Sequence, residues 1–425
     1  MNKRILTLAL PSIAANVTTP LLGMVDTAIT GHMGGAVYIA AIAVGGVMFN
    51  MLYWLFGFLR AGTSGLCARA YGADDREQMA LVLYRSLMLA CCVGFAMIAL
   101  QYPLAELLIA IVSPDPATEP LARQYFTIVI WGAPATLASF ALSGWFLGMH
   151  DSKINLWISL IINITNIVIS LLLVYGLGWK VGGVATGTLA AQWIGLISGA
   201  AFLGKFRLPH QSLAMVCRWE ELKAFFKVNG FIMFRTIFII LTTVWFTRCG
   251  AKQGAVILAV NTMLMQLFMF FSYVMDGFAY AGEALVGGYS GGGKINQEKQ
   301  CITALFRWGW GLAISFTVMY FVGGEAFLSL LSSDKEVIGA SRDFWWWAVT
   351  VPLAGFAGFV WDGVYIGRTM VREMAITIMI ASAIYFAIYI ILFPTLGNHG
   401  LWIAFVCYLL ARGISQWVLF RRNRG

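Results

Sequence analysis

Residues 376–393 read ITIMIASAIYFAIYIILF, eighteen consecutive residues without a charged side chain. This length and composition are typical of a helix that crosses the hydrocarbon core of a membrane, which takes about 20 residues. Backbone groups in hydrocarbon must bond within the protein, so only helices and closed barrels can span it. Barrel strands alternate apolar and polar residues, and this run does not. The stretch therefore predicts a transmembrane α-helix.

The rest of the chain has the same character. Of its 425 residues, 60% are hydrophobic and 11% are charged, and its mean hydropathy is +0.80. Soluble domains carry roughly a quarter charged residues, so most of this surface must face lipid. Apolar runs between charged or glycine-rich breaks predict twelve spans: 5–31, 36–68, 80–112, 121–149, 154–178, 182–204, 224–249, 254–289, 300–331, 338–366, 373–396 and 399–420. We therefore predict an all-α polytopic membrane protein embedded in a lipid bilayer.

The basic residues predict how the chain is oriented in the membrane. Twenty of the 28 lysines and arginines, including Arg85 and Arg412, fall at the termini or in and around the even-numbered loops, against six at the odd-numbered loops. An excess of this kind marks the cytoplasmic side. Both termini are therefore predicted to be cytoplasmic, in the inner (cytoplasmic) membrane of the cell. The net charge of +9 belongs to this face, and because no nucleic-acid motif accompanies it, no nucleic-acid partner is expected.

The chain contains an internal repeat. The hexapeptide GFLRAG at 57–62 returns as GFAYAG at 277–282, an offset of 220 residues. A pair of glycines spaced four apart recurs at an offset of 219: Gly144 and Gly148 correspond to Gly363 and Gly367. The offset covers six spans, an even number, so the two halves have the same orientation.

A parallel repeat of this kind is typical of transporters whose two lobes enclose a central site. We therefore predict two six-helix lobes, 1–204 and 224–425, joined by a basic cytoplasmic linker, 205–223.

Asp26 is an acidic residue inside the first span. Ionisable groups within spans are costly and suggest function, and the repeat places Trp245 at the matching position, so the carboxylate is not a duplicated packing feature. A low dielectric favours the neutral acid, which would let Asp26 exchange a proton. The alternative is a helix-end carboxylate that reaches water beyond Gly31. Pro11 and Pro20 lie in the same span and favour a bend, either as a gate or as a static kink.

The fifth and sixth spans carry neutral polar residues. Asn163, Asn166 and Ser170 are spaced i, i+3, i+7 and share one helix face, and Thr188 lies in the next span. Their oxygens suit a hydrogen bond to a carboxylate or coordination of a hard cation. The alternative is that they hold helices together.

The second half has charges of its own: Arg235, Asp276, Glu283 and Asp362. We predict a polar network that forms an inner gate or anchors the lobe, with a direct role in substrate or proton binding as the alternative. The histidines and cysteines show no HxxH, HExxH or CxxC spacing, so no metal site and no cofactor are expected. The spans contain no nucleophile–base pair, so the residues do not indicate an enzyme.

Four motifs carry a resemblance to a known family: MVDT at 24–27, NGFIMFRT at 229–236, DGFAYAGEALVG at 276–287 and WDGVYIG at 361–367. Over its whole length the chain resembles the multidrug and toxic compound extrusion (MATE) family, and within it the DinF branch. The resemblance implies a 6+6 MATE/MOP-type fold that exports small amphipathic or cationic drugs and toxins by antiport with protons or sodium ions.

The resemblance also implies roles for residues in the amino-terminal lobe. Asp26 falls on the family's coupling aspartate, and Pro11 falls on a proline linked to helix bending on protonation. Asn166 and Thr188 match two oxygens of the family's cation site, so a sodium ion could be held by Asp26, Asn166 and Thr188. The third position, usually acidic in archaeal relatives, is Ser170 here, which weakens the case for sodium.

In the carboxy-terminal lobe, the carboxylates of the NorM branch are replaced by Arg235 and Gly355. We therefore predict a proton-coupled exporter, with sodium as the alternative ion, that acts as a monomer. The alternative function is a flippase for lipid-linked precursors, which would require a more cationic central cavity than Arg60 and Arg235 provide.

Overall fold

The computed structural model describes residues 1–31, 33, 35–209, 211–331 and 334–422, without the side chains of residues 19–22, 213 and 325. Pro20, assigned above to helix bending, therefore lies outside the described side chains. The described residues form sixteen α-helices and no strand: α1 (Asn2–Gly31), α2 (Ala36–Leu55), α3 (Phe58–Gly72), α4 (Arg76–Ala99), α5 (Gln101–Val112), α6 (Glu119–Val129), α7 (Ala133–Gly148), α8 (Ser152–Leu171), α9 (Lys180–Leu203), α10 (Leu213–Val216), α11 (Trp219–Lys252), α12 (Ala255–Gly291), α13 (Ile295–Leu331), α14 (Lys335–Gly367), α15 (Val371–Leu396) and α16 (Asn398–Arg422).

Twelve helical stretches within the described residues are long and apolar enough to cross a membrane. This number confirms the predicted twelve spans. Two of the stretches are built from more than one helix: α2 with α3, and α6 with α7 through a 3₁₀ turn at Ile130–Gly132. A π-helical turn, Leu172–Gly176, extends α8.

The prediction of one continuous span over 80–112 is wrong. Helix α4 ends at Ala99, Leu100 leaves the helical conformation, and α5 begins at Gln101. Pro103 explains the break, because proline has no N–H for a helix interior but is tolerated in a first turn, where the N–H groups have no helical partner.

The chain packs as two units. Leu10–Asn229 form the amino-terminal unit, whereas Met1–Ala9 and Gly230–Gly425 form the carboxy-terminal unit. Helix α1 contributes residues to both, and the division falls just before Pro11. The lobes 1–204 and 224–425 with their linker stay a prediction.

The repeated glycines bring two helices of the amino-terminal unit into backbone contact. Gly144 of α7 lies against the carbonyl group of Arg60 in α3, where a Cβ atom would overlap the oxygen. One turn further, a Cβ at Gly148 would lie 2.9 Å from the Ser64 carbonyl oxygen and 2.7 Å from Cβ of Cys67. No side chain larger than hydrogen fits at these positions unless the helices separate.

The carboxy-terminal unit uses the matching glycines in the same way. Gly363 of α14 lies against the carbonyl group of Ala279 in α12, and a Cβ at Gly367 would lie 2.8 Å from the Glu283 carbonyl oxygen. The glycines that revealed the repeat therefore mark a close backbone contact between two helices in each unit.

We expect Gly363→Ala to lower the free energy of unfolding by about 1–3 kcal/mol, because the added methyl group meets backbone atoms that cannot rotate away. Gly311→Ala is the matched control: it is also helical, and a Cβ atom added there would have no other atom within 4 Å. Thermal unfolding of both variants in detergent, followed by tryptophan fluorescence, measures the difference. Equal melting temperatures would contradict this packing.

Arg85 holds the segment between the sixth and seventh spans onto the amino-terminal unit. Its side chain in α4 is buried, and its Nε donates to the Val216 carbonyl oxygen at 3.1 Å. Its Nη2 donates to the Met215 carbonyl oxygen at 2.9 Å and forms an ion pair with Glu221. Arg85, counted above among the basic residues of the predicted cytoplasmic side, is therefore buried, because a guanidinium with these three acceptors is stabilised inside the protein.

We expect Arg85→Gln to release this segment, because hydrogen bonds to charged groups contribute about 1.5–3 kcal/mol each. Limited trypsin cleavage within residues 205–227 should become roughly tenfold faster or more. Glu221→Gln is the control, since it keeps both backbone hydrogen bonds of Arg85 and should accelerate cleavage less. The same rate in all three proteins would show that Arg85 does not hold the segment.

Candidate functional site

The carboxylate of Asp26 is buried and lacks a compensating partner. The residue is 9% exposed, and its Oδ1 atom has no hydrogen-bond partner among the described residues. Thr30, one turn later, donates at 2.9 Å to the backbone carbonyl of Asp26 rather than to the carboxylate. An unpaired carboxylate away from water is costly in its charged form, so this position favours the arrival of a proton or a cation.

Asn166 and Thr188, expected to lie together, do meet between α8 and α9. Nδ2 of Asn166, a residue only 1% exposed, donates to Oγ1 of Thr188 at 2.9 Å. Thr188 in turn donates to the Val184 carbonyl oxygen at 3.1 Å. In the described structure, Oδ1 of Asn166 and Oγ of Ser170 are buried without a hydrogen-bond partner. Two neutral oxygens on this face therefore remain available as acceptors.

Asn163 has a different position from Asn166. Its Nδ2 donates to the Thr18 carbonyl oxygen at 3.3 Å, and the hydroxyl groups of Thr18 and Ser159 are 2.8 Å apart. Further along, the Tyr175 hydroxyl donates to the Ile29 carbonyl oxygen at 3.2 Å. These bonds fasten α1 to α8 and its π-helical extension, so Asn163 serves as an interhelical contact here.

Tyr125 of α6 is a site residue that the sequence reasoning missed. Its buried side chain lies beside Thr188 and within electrostatic reach of Asp26. Gly45 of α2 makes room for it, because a Cβ at that position would overlap the tyrosine ring. The signal in the sequence was a tyrosine on the buried face of α6, but aromatic residues are common at membrane interfaces. Only the packing distinguishes this tyrosine from the others.

Among the candidate site residues of the amino-terminal unit, Asp26 is acidic, and Asn166, Ser170, Thr188 and Tyr125 carry neutral oxygens. With a single negative charge, such a site can bind one proton or one monovalent cation at a time. The described residues contain no group of three or more histidine, cysteine or acidic side chains that could hold a metal ion.

A second polar cluster lies in the carboxy-terminal unit, with Asp362 at its centre. Arg235 of α11 and Arg412 of α16 both form ion pairs with Oδ2 of Asp362, and Nε2 of Gln416 donates to Oδ1 at 2.7 Å. The side chains of Arg235, Asp362 and Arg412 are 15%, 8% and 7% exposed. One carboxylate on α14 therefore ties three helices together.

Arg412 and Gln416 were not among the predicted site residues. Arg412, counted above among the basic residues of the predicted cytoplasmic side, is buried, and its guanidinium lies 5.3 Å from the ring centre of Phe359. The signal was its position within the apolar stretch 399–420, as for any intramembrane charge. Of the other predicted members, Asp276 lies within electrostatic reach of Arg412, and Glu283 is 1% exposed in α12.

We expect Asp362→Asn to lower the free energy of unfolding by about 3–5 kcal/mol, because it removes the buried negative charge that two guanidinium groups share. Gln416→Met is the control, since it removes one hydrogen bond, worth about 1 kcal/mol, and no charge. Thermal unfolding in detergent measures both. If the two variants have the same melting temperature, the carboxylate does not anchor these helices.

Comparisons with known proteins agree with this architecture. The MatE family model matches the chain twice, at residues 11–172 and 231–395, so the two matches begin 220 residues apart. The DNA damage-inducible protein F of Escherichia coli (strain K12) is 36% identical over 419 residues, which cover 98% of this chain and 91% of that protein. A MATE protein in the bent conformation superposes with a TM-score of 0.87 at 18% identity. A multidrug resistance MATE family transporter of the MOP superfamily, in its outward-facing conformation, gives 0.85 at 19%. Both structural alignments cover 99% of this chain and 95% of the other.

A twelve-span helical chain that one family model matches twice is a membrane transporter rather than an enzyme. The chain belongs to the MatE family of multidrug efflux transporters, and its identity to DNA damage-inducible protein F confirms the predicted DinF branch.

Proposed function

We propose that this transporter exports amphipathic or cationic organic molecules in exchange for protons, with Asp26 as the coupling residue. The observation that carries the proposal is the buried Oδ1 of Asp26, which has no hydrogen-bond partner among the described residues. Tyr125 lies within electrostatic reach of Asp26 and beside Thr188, which accepts a hydrogen bond from Asn166.

Competition at one carboxylate is sufficient for antiport. A cationic substrate stabilises the charged form of Asp26, whereas a proton removes that charge and with it the attraction for the substrate. A ligand shifts a conformational equilibrium only through its different affinity for the two states. Exchange then follows if the charged form of Asp26 favours the conformation that is open to one side of the membrane and the neutral form favours the conformation that is open to the other side.

Helix α1 is the element proposed to respond. Pro11 lies inside this helix and cannot donate a backbone hydrogen bond, so bending costs less there. The division between the two packing units falls between Ala9 and Leu10, close to this proline. We propose that protonation of Asp26 bends α1 near Pro11, with Pro20 as a second point of bending.

Protons suit this site better than sodium ions. Ser170 is neutral, so Asp26 supplies the acidic charge, and Thr188 already accepts one hydrogen bond and donates another. A sodium ion bound by Asp26, Asn166 and Thr188 would have one negative charge to replace its hydration. Coupling to sodium is therefore the alternative.

The remaining features of the chain fit the same proposal. We propose that it acts as a monomer in the cytoplasmic membrane, with both termini in the cytoplasm, as the distribution of basic residues predicts.

Since Asp362 is already engaged by Arg235 and Arg412, we propose that the carboxy-terminal cluster anchors its lobe rather than binding the coupling ion.

We expect Asp26→Asn to lower the initial rate of proton-driven export roughly fivefold or more, because the substituted side chain cannot gain or lose the charge. The measurement is transport of a fluorescent cationic dye in proteoliposomes, with proton and sodium gradients imposed separately. Asp74→Asn is the matched control, since Asp74 is an exposed acidic residue in the loop after α3. Its transport rate should match that of the wild type.

Three other results would redirect the proposal. Normal transport by Asp26→Asn would move the coupling role to the carboxy-terminal carboxylates. Export driven by sodium alone would select the alternative ion. Transport of no dye under either gradient, with flipping of a fluorescent lipid-linked precursor, would favour the flippase.

A further inference from the structure

A surface groove of about 440 Å³ lies in the carboxy-terminal unit, and its lining includes no residue of the Asp362 cluster. Residues Met1 and Asn2 at the start of α1 form one wall, and α13 forms the other with Lys299, Gln300, Thr303 and Arg307. These four residues of α13 are exposed. Spaced along one helix face, they present two cations and two neutral hydrogen-bonding groups to the same space.

The two cations of the groove have no ion-pair partner in the part of the chain that the structure describes. Lys299 and Arg307 are two helical turns apart, and Thr303 stands between them with its hydroxyl bonded at 2.9 Å to the Lys299 carbonyl oxygen. The acidic neighbour Glu298 is 2% exposed and forms an ion pair with Arg368 at 2.7 Å. The charge of the groove is therefore not neutralised by that carboxylate.

The opposite wall is held in place by bonds to α12. Nη1 of Arg4 donates to the Tyr289 hydroxyl at 2.9 Å, and that hydroxyl lies 3.8 Å from the Met1 sulfur. Lys3 and Arg4, both exposed, add positive charge next to the groove. The groove is thus a built feature with two fixed walls.

The depth of the groove relative to the membrane can be inferred from the sequence of α13. In this helix Arg307 is followed by Trp308 and Trp310, and no charged residue occurs between Arg307 and Glu325. Tryptophan is enriched at the membrane–water interface, and long basic side chains reach toward headgroups from the same level. The groove therefore opens where lipid phosphates lie.

We propose that this groove binds the phosphate headgroup of an anionic phospholipid. Lys299 and Arg307 would pair with the phosphate oxygens, while the side-chain amides of Asn2 and Gln300 would donate hydrogen bonds; charge-assisted bonds of this kind are among the strongest in proteins. Basic pockets between transmembrane helices are suited to such headgroups. The lipid is favoured over free phosphate because the groove lies beside the apolar part of α13, which can receive the acyl chains. The site is independent of the export proposed at Asp26.

Native mass spectrometry of the detergent-purified full chain tests the proposal. Phosphatidylglycerol, phosphatidylcholine with the same acyl chains, and inorganic phosphate are titrated separately. For Lys299→Gln/Arg307→Gln we expect phosphatidylglycerol affinity to fall about thirtyfold, from the loss of two cations near the surface. The control Lys223→Gln/Lys227→Gln removes two exposed lysines of α11 outside the groove and should bind as the wild type does.

Other outcomes would overturn the site. Equal weakening by both double variants would mean that only the general surface charge attracts the lipid. Equal affinity for the two phospholipids would remove the role of charge, and equal affinity for inorganic phosphate would mean a site for soluble anions. Arg307→Lys keeps the charge and should retain most of the binding. If the double variant does not fold, Lys299→Gln alone should still weaken binding about fivefold.

Discussion

Hydrocarbon offers no water to complete a hydrogen bond, so polar groups inside the membrane must be satisfied by the protein itself. The two units meet this constraint differently. Asp362 shares its carboxylate among two guanidinium groups and an amide. Asp26 is buried but leaves Oδ1 without a partner in the described structure. A fully engaged carboxylate holds helices together, whereas one with an open oxygen can accept a proton or a cation. This contrast is the reason for proposing that the cluster in the carboxy-terminal unit anchors helices and that Asp26 in the amino-terminal unit couples transport.

The same duplicated sequence nevertheless builds both units. Gly144 and Gly148 let α7 touch the backbone of α3, and Gly363 and Gly367 do the same for α14 and α12. The duplication has preserved the helix contacts, where a single methyl group would not fit. It has not preserved the charges, since Asp26 matches Trp245 at the offset of the repeat. The fold could therefore remain symmetric while the chemistry became specific to one unit.

The basic residues fall into two physical classes. Arg85 and Arg412 are buried with carboxylate partners and backbone or aromatic contacts, and they stabilise particular packing arrangements. Lys299 and Arg307 are exposed, line a groove and have no ion-pair partner in the described part of the chain. Only the second class can act on a ligand from outside the protein. A count of positive charges along the chain combines both classes, which is why it indicates orientation but not function.

The sequence alone determined the twelve spans, the repeat and the intramembrane position of Asp26, because these depend on local hydrophobicity and on spacing along the chain. It also predicted that Asn166 shares a helix face with Ser170, since helical periodicity defines faces. The break at Leu100, the burial of Arg85 and Arg412, and the place of Tyr125 were decided by tertiary structure. A periodicity shows which way a side chain points, but not which distant residue it meets. Arg412 reaches Asp362 across 50 residues, and Arg235 reaches it across 127. Contacts over such separations arise only when the helices pack.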